Sequence, residues 1–87
     1  MRLIIQSPAG IEAEAGNIDI IRTVLADGKP LTILPRHASL MGELRRTNIT
    51  AISRGSNQRY CIKPGILLVR DDVVKVLTGG MQEEENA

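Results

Sequence analysis

The chain has no tryptophan and no phenylalanine, and Tyr60 is its one aromatic residue. Its core must therefore be aliphatic. A nucleic-acid surface of the stacking kind, which needs exposed rings beside the bases, has no platform here. There is one cysteine, Cys61, and one histidine, His37. An internal disulfide is excluded, and so is a four-ligand structural zinc site. Nucleophilic catalysis needs a nucleophile, a base and an orienting group in contact, and the lone Cys61 and His37 stand far apart in sequence. Gly79-Gly80 is an isolated pair without the lysine and helix that complete a phosphate loop. No apolar run reaches the length of about 18 residues that a membrane-spanning helix needs. The opening Met1-Arg2-Leu3-Ile4-Ile5 meets polar Gln6 and Ser7 too soon for a signal peptide. These absences together argue against an enzyme and against any cofactor. They leave a chain that binds a partner, with a reducing, cytosolic compartment as the simplest expectation.

What is present is 87 residues, enough for one domain. A domain this small buries roughly 60% of its unfolded surface, so modest stability is expected. The net charge is +1, but the last seven residues hold three glutamates and no base, which leaves the body at +4. Eight of the eleven bases are arginine, the residue better suited to planar pairing at interfaces. Most are nevertheless expected on an ordinary solvated surface.

Turn signals recur at short intervals: Pro8-Ala9-Gly10, Gly16-Asn17, Asp27-Gly28-Lys29-Pro30, Pro35, Arg54-Gly55-Ser56-Asn57, Pro64-Gly65, Asp71-Asp72 and Gly79-Gly80. Between them lie runs of strand length, many β-branched: Leu3–Ser7, Ile11–Ala15, Ile18–Val24, Leu31–Leu34, Thr47–Ser53, Gln58–Ile62, Ile66–Arg70 and Val73–Leu77. This pattern predicts an all-β fold, a small antiparallel β-sandwich of about eight to ten short strands over residues 1–80. Residues 81–87 are expected to form a disordered acidic tail. Val74 and Val76 share one strand face and Lys75 takes the other, so that second face is expected to reach solvent. Ile49 and Ile52 differ in parity, which a bulge or burial on both faces would explain. Arg54–Asn57 and Asp71-Asp72 read as hairpin turns. Ser39–Arg46 fits one or two helical turns, with Leu40, Glu43 and Leu44 at i, i+3 and i+4, or equally a strand.

The densest stretch is Ile33-Leu34-Pro35-Arg36-His37-Ala38-Ser39-Leu40, where an apolar strand meets a proline corner and the only histidine. His37 either braces that corner through a neighbouring carbonyl or faces a partner. Glu12/Glu14 fall on one face of a strand, and Asp71/Asp72 sit in a turn; neither pair requires a catalytic reading.

Three stretches carry a resemblance to the amino-terminal β-sandwich domain of the epsilon subunits of F-type ATP synthases. They are Leu3–Gly10, Asp27-Gly28 with Ile33–Leu40, and the ungapped run Pro64–Leu77. Together they extend the likeness from about Leu3 to Gly79. Thr32 stands where the family has a glycine before ILP, and Arg36 replaces a small residue. The resemblance implies a non-catalytic rotor-stalk subunit that couples the gamma subunit to the ring of c subunits during proton-driven ATP synthesis. It would lie on the cytoplasmic side, peripheral to the inner (cell) membrane and not inserted in it. Ser7, His37, Leu40 and Met41 would face gamma. The loop Ala26, Asp27, Gly28, Lys29, Pro30 and Leu31 would face the ring. On this reading Leu40→Asp is expected to weaken gamma binding with the fold intact. Family members commonly continue into a helical hairpin that can inhibit ATP hydrolysis. A chain ending at Ala87 is expected to keep the coupling role and lack that arm. The alternative is a β-sandwich adaptor of another assembly. A weaker rival is a nucleic-acid binder using Arg22, Arg36, Arg45, Arg46, Arg54 and Arg59.

Overall fold

The computed structural model describes residues 1–85, with side chains through Gln82. Ten strands follow one another: β1 (Arg2–Ser7), β2 (Gly10–Ala15), β3 (Ile20–Val24), β4 (Pro30–Ile33), β5 (Leu40–Leu44), β6 (Thr47–Ser53), β7 (Ser56–Ile62), β8 (Gly65–Arg70), β9 (Val73–Thr78) and β10 (Met81–Glu85). They form two five-stranded sheets. Sheet I has the order β2-β1-β9-β8-β5, and sheet II the order β10-β7-β6-β3-β4. Every pairing is antiparallel except β1 with β9, which run parallel. The all-β sandwich expected from the turn spacing is the fold observed.

Alternation drives each strand onto the core. Leu3 and Ile5 of β1, Leu67 and Val69 of β8, and Val74 and Val76 of β9 point inward from sheet I. Ile21, Ile33, Ile49, Ala51, Tyr60 and Ile62 meet them from sheet II. Each fully buried Leu, Ile or Val contributes on the order of 1.5–3 kcal/mol. Ile18 joins them from the crossover between the sheets, where its N–H donates to the Met1 carbonyl at 2.9 Å. Thr78 is buried too, and its hydroxyl donates to the Lys63 carbonyl at 2.6 Å.

The turns behave as their residues dictate. Asp71 and Asp72 both take positive φ (52° and 64°) and close a two-residue hairpin between Arg70 and Val73. That turn type requires such angles at both positions, and aspartate tolerates them. Gly55 (φ 74°) closes the β6–β7 hairpin.

Two segments differ from or decide the sequence expectation. Ser39–Arg46, open between helix and strand, contains strand β5, because pairing to β8 satisfies its backbone groups and buries Leu44. The expected disordered tail differs at Met81–Glu85, which forms β10 on β7. Without β10 the backbone groups of β7 would line an open sheet edge, and Met81 also packs on the core. Asn86 and Ala87 lie outside the described residues. The parity problem in β6 resolves without a bulge: β6 and β7 keep continuous register. Ile49 and Ala51 face the core, and Ile52 is half-buried on the opposite side.

Candidate functional site

The two sheets present very different outer faces. On sheet I, register places Ile11, Gln6, Leu77, Ile66 and Glu43 side by side in one rung. The next rung holds Glu14, Ile4, Lys75, Leu68 and Met41. This face contains four of the six large apolar side chains that stand exposed among the described residues, led by Met41 at 74% and Ile11 at 60%. Two shallow grooves cross it. One, of about 470 Å³, is lined by Leu40, Met41, Leu68, Val73, Arg70 and Lys75 among others. The other, of about 460 Å³, lies between Ser7-Pro8, Ile66 and Leu77. On sheet II the corresponding rung is Thr32, Arg22, Thr50 and Arg59, a polar surface of the ordinary solvated kind.

An apolar outer face on one sheet of a small sandwich marks a surface built to be covered. Among the described residues no cluster of His, Cys, Asp or Glu is arranged to hold a metal ion, and no helix is long and apolar enough to cross a membrane.

The residues expected to face a partner are only partly brought together. Met41 is the most exposed large apolar residue on the sheet I face. Leu40, its neighbour, has the opposite parity: it is half-buried and packs against the core. Ser7 lies three strands across in sheet I and four residues along, about 14 Å by about 13 Å from Leu40. Its hydroxyl donates to Glu12 Oε2 at 3.0 Å and accepts from the Ala9 N–H at 3.1 Å. Glu12 is the extra residue of a bulge in the β1–β2 ladder. His37 is half-buried with Nδ1 2.7 Å from the Ala38 carbonyl oxygen, so in the tautomer protonated there it braces the corner.

That corner is a tight turn. The His37 N–H donates to the Leu34 carbonyl at 3.2 Å across Pro35 and Arg36. Arg36 takes φ 64°, an angle that suits glycine far better. The Arg36 N–H donates to Asp72 Oδ1 at 2.9 Å. This bond, helped by the Met1 ammonium 3.5 Å from Asp72 Oδ2, holds the Asp72 carboxyl below its ordinary range.

Of the segment Ala26–Leu31 expected as a loop, residues 26–29 form the connection from β3 to β4 at the end of the sandwich. Pro30 and Leu31 already belong to β4, where pairing with β3 sets Leu31 opposite the buried Thr23 and against the core. Asp27, Gly28, Lys29 and Pro30 are exposed. Asp27 Oδ1 accepts from the Lys29 N–H at 3.0 Å, and the Gly28 N–H (φ 87°) donates to Leu25. The loop is tied across to sheet I, since the Ala26 N–H donates to the Glu43 carbonyl at 2.8 Å. Leu25 also lies over Gly42, where an added Cβ would come within 2.8 Å of Leu25 Cδ2.

Sequence reasoning placed Lys75 on a solvent-reaching face, as observed, but missed Ile4, Ile11, Ile66, Leu68 and Leu77 as surface elements around it. The available signal was Ile66-Leu67-Leu68-Val69, which is apolar at both parities and so cannot bury every side chain in one core.

Comparison with known proteins gives this surface a context. No curated protein matches the sequence at a significant level. Among solved structures, the fold resembles a chain of the Euglena gracilis mitochondrial ATP synthase (OSCP/F1/c-ring, rotational state 1), with a TM-score of 0.81 and 18% identity. The likeness covers 93% of this chain and 51% of that one. It also resembles a chain of the Tetrahymena thermophila mitochondrial ATP synthase central stalk/c-ring, with a TM-score of 0.74 and 11% identity over 94% of this chain and 65% of that one. The chain thus spans about half to two thirds of the length of these structural relatives. Residues 1–84 match the family described as ATP synthase, Delta/Epsilon chain, beta-sandwich domain, and the chain therefore belongs to that family.

Proposed function

We propose that this chain is a non-catalytic rotor-stalk subunit of an F-type ATP synthase, linking the gamma subunit to the c-ring during proton-driven ATP synthesis. The observation that carries the reading is the apolar outer face of sheet I on a domain of this family. A coupling subunit needs a body that deforms little and surfaces that hold its neighbours. An aliphatic core packed between two five-stranded sheets supplies the first. The sheet I face supplies a gripping surface for gamma, with Met41 on it and Ser7, His37 and Leu40 along its margins. The segment Ala26–Leu31, through its exposed residues Asp27, Gly28, Lys29 and Pro30, supplies a contact for the ring, with Lys29 placed to meet polar or acidic groups. We place the subunit on the cytoplasmic side, peripheral to the membrane as part of the complex.

The nucleic-acid alternative lacks support in the arrangement of the arginines. Arg22 and Arg59 lie on the outer face of sheet II, Arg45 and Arg46 between β5 and β6, Arg54 at a hairpin tip and Arg36 at the corner. They do not form a single stripe of the kind a phosphate backbone follows.

Affinity capture of the tagged chain from its source cells tests the reading. Recovery of gamma and c subunits is the expected result, with ATP-driven proton pumping restored when the chain is added to a complex depleted of this subunit. Recovery of a different assembly, with no stalk subunits, would point to the adaptor alternative.

A further inference from the structure

Lys75 occupies an unusual place. It sits near the middle of the apolar face of sheet I, half-buried, with Ile4 and Leu68 as its lateral neighbours. Along its own strand the same face carries Val73 and Leu77. Of the other charges on this face, Arg2 pairs with Glu14, Arg70 Nε lies 3.6 Å from Asp71 Oδ2, and Glu43 stands in the neighbouring rung, two strands across from Lys75. Among the described residues Lys75 has no ion pair. It forms one wall of the groove of about 470 Å³ whose other walls include Met41, Leu68, Val73 and Arg70, and no carboxylate lines that groove.

A cation surrounded by apolar side chains is tolerable while water reaches it. Covering the face with a purely apolar partner would strip that water and leave the ammonium unpaired, which is costly. A partner that brings a carboxylate to the same point removes the penalty and fixes its own orientation. We infer that the sheet I groove seats an acidic-apolar segment of the gamma-type stalk subunit, a large apolar side chain against Met41 and Leu68 with a carboxylate on the Lys75 ammonium. This deepens the proposed function and rests on it. Lys75 is then the residue that sets the partner's register, while Met41 and Leu68 supply most of the affinity.

The test is binding of the full chain to purified gamma subunit from the same complex, measured at low and high salt. Lys75→Glu is expected to weaken binding at least tenfold. Lys75→Arg should stay within about threefold of wild type, and wild-type affinity should fall with salt more steeply than that of Lys75→Met. Lys75 is on the surface, so thermal melting should confirm an unchanged fold for each variant. Charge reversal of one gamma carboxylate that rescues Lys75→Glu would support the assignment. If Met41→Asp abolishes binding while Lys75→Glu binds as wild type, the carboxylate pairing is overturned and the stalk reading stands. If gamma binds and neither change matters, the groove is not the seat and the inference falls. If the wild-type chain does not bind gamma at all, the functional reading itself is wrong.

Discussion

The two outer faces of this sandwich are built by the same strand periodicity and from sheets of equal strand number, yet they have opposite character. Sheet I exposes Ile11, Met41, Ile66 and Leu77; sheet II carries a rung of exposed Thr32 and Arg22 with half-buried Thr50 and Arg59, and of large apolar side chains it exposes Val24. Stability does not require the difference, because both sheets bury comparable aliphatic rows against each other. The excess apolar surface on sheet I therefore reflects what that face must contact. In a domain proposed to work by holding its neighbours, asymmetry between faces is where function is written.

The comparison can be broken most severely at Gly65. Its backbone lies so close to Leu77 that an added Cβ would collide with the Leu77 carbonyl oxygen. We expect Gly65→Ala to push β8 from β9 and destabilise the domain by about 3 kcal/mol, read as a lowered urea midpoint. Sheet I should then lose its face as a unit. A smaller and more selective effect is expected from Met41→Asp and Leu68→Asp, each lowering affinity for gamma roughly tenfold with melting temperature unchanged. The matched change Thr50→Asp on sheet II should stay within about threefold. Equal losses on both faces would remove the distinction. Leu40→Asp is a poorer probe, since Leu40 packs on the core; it should lower stability as well as binding.

Two weaker effects concern the corner that leads from sheet II to sheet I. Arg36→Gly should stabilise the fold by about 1 kcal/mol, because a side chain is removed from a left-handed backbone angle while the N–H to Asp72 remains. The smallest effect is on acid sensitivity. The folded Asp72 carboxyl lies below its ordinary value of 3.8, so its contribution is present above the unfolded value and disappears as pH falls through the folded one. Below about pH 4 the wild type should lose stability more steeply than Asp72→Asn, as followed by thermal melting against pH.

Much of this molecule was legible in its sequence, and the parts that were not have physical reasons. β1, β2, β3, β4, β6, β7, β8 and β9 follow from strand-length runs between turn residues, with clean alternation in only some of them, and Asp71-Asp72 announced its hairpin. β5 stayed open because Leu40, Glu43 and Leu44 satisfy a helical spacing, and only the backbone groups of β8 decide the matter. β10 was hidden because its glutamates have little strand preference of their own; an open edge on β7 recruits the backbone regardless of side chain. The proline corner with His37 was visible as a fixed piece of surface, but its distance from Ser7 was not, since the parallel pairing of β1 with β9 is a property of the whole topology. The face of sheet I was concealed for a simpler reason. In Ile66-Leu67-Leu68-Val69 both parities are apolar, and no local rule says which pair looks outward.

The hydrogen bond from Ala26 to Glu43 acquires meaning in this light. A load applied to the exposed hairpin tip reaches β5 directly, through one amide and the side chain of Leu25 seated on Gly42. It need not travel the length of β4 first. On the proposed function, the thrust from one neighbour is thus delivered to the very strand that presents Met41 to the other, and the sandwich would work as a strut whose two ends are joined by a shortcut across its thickness.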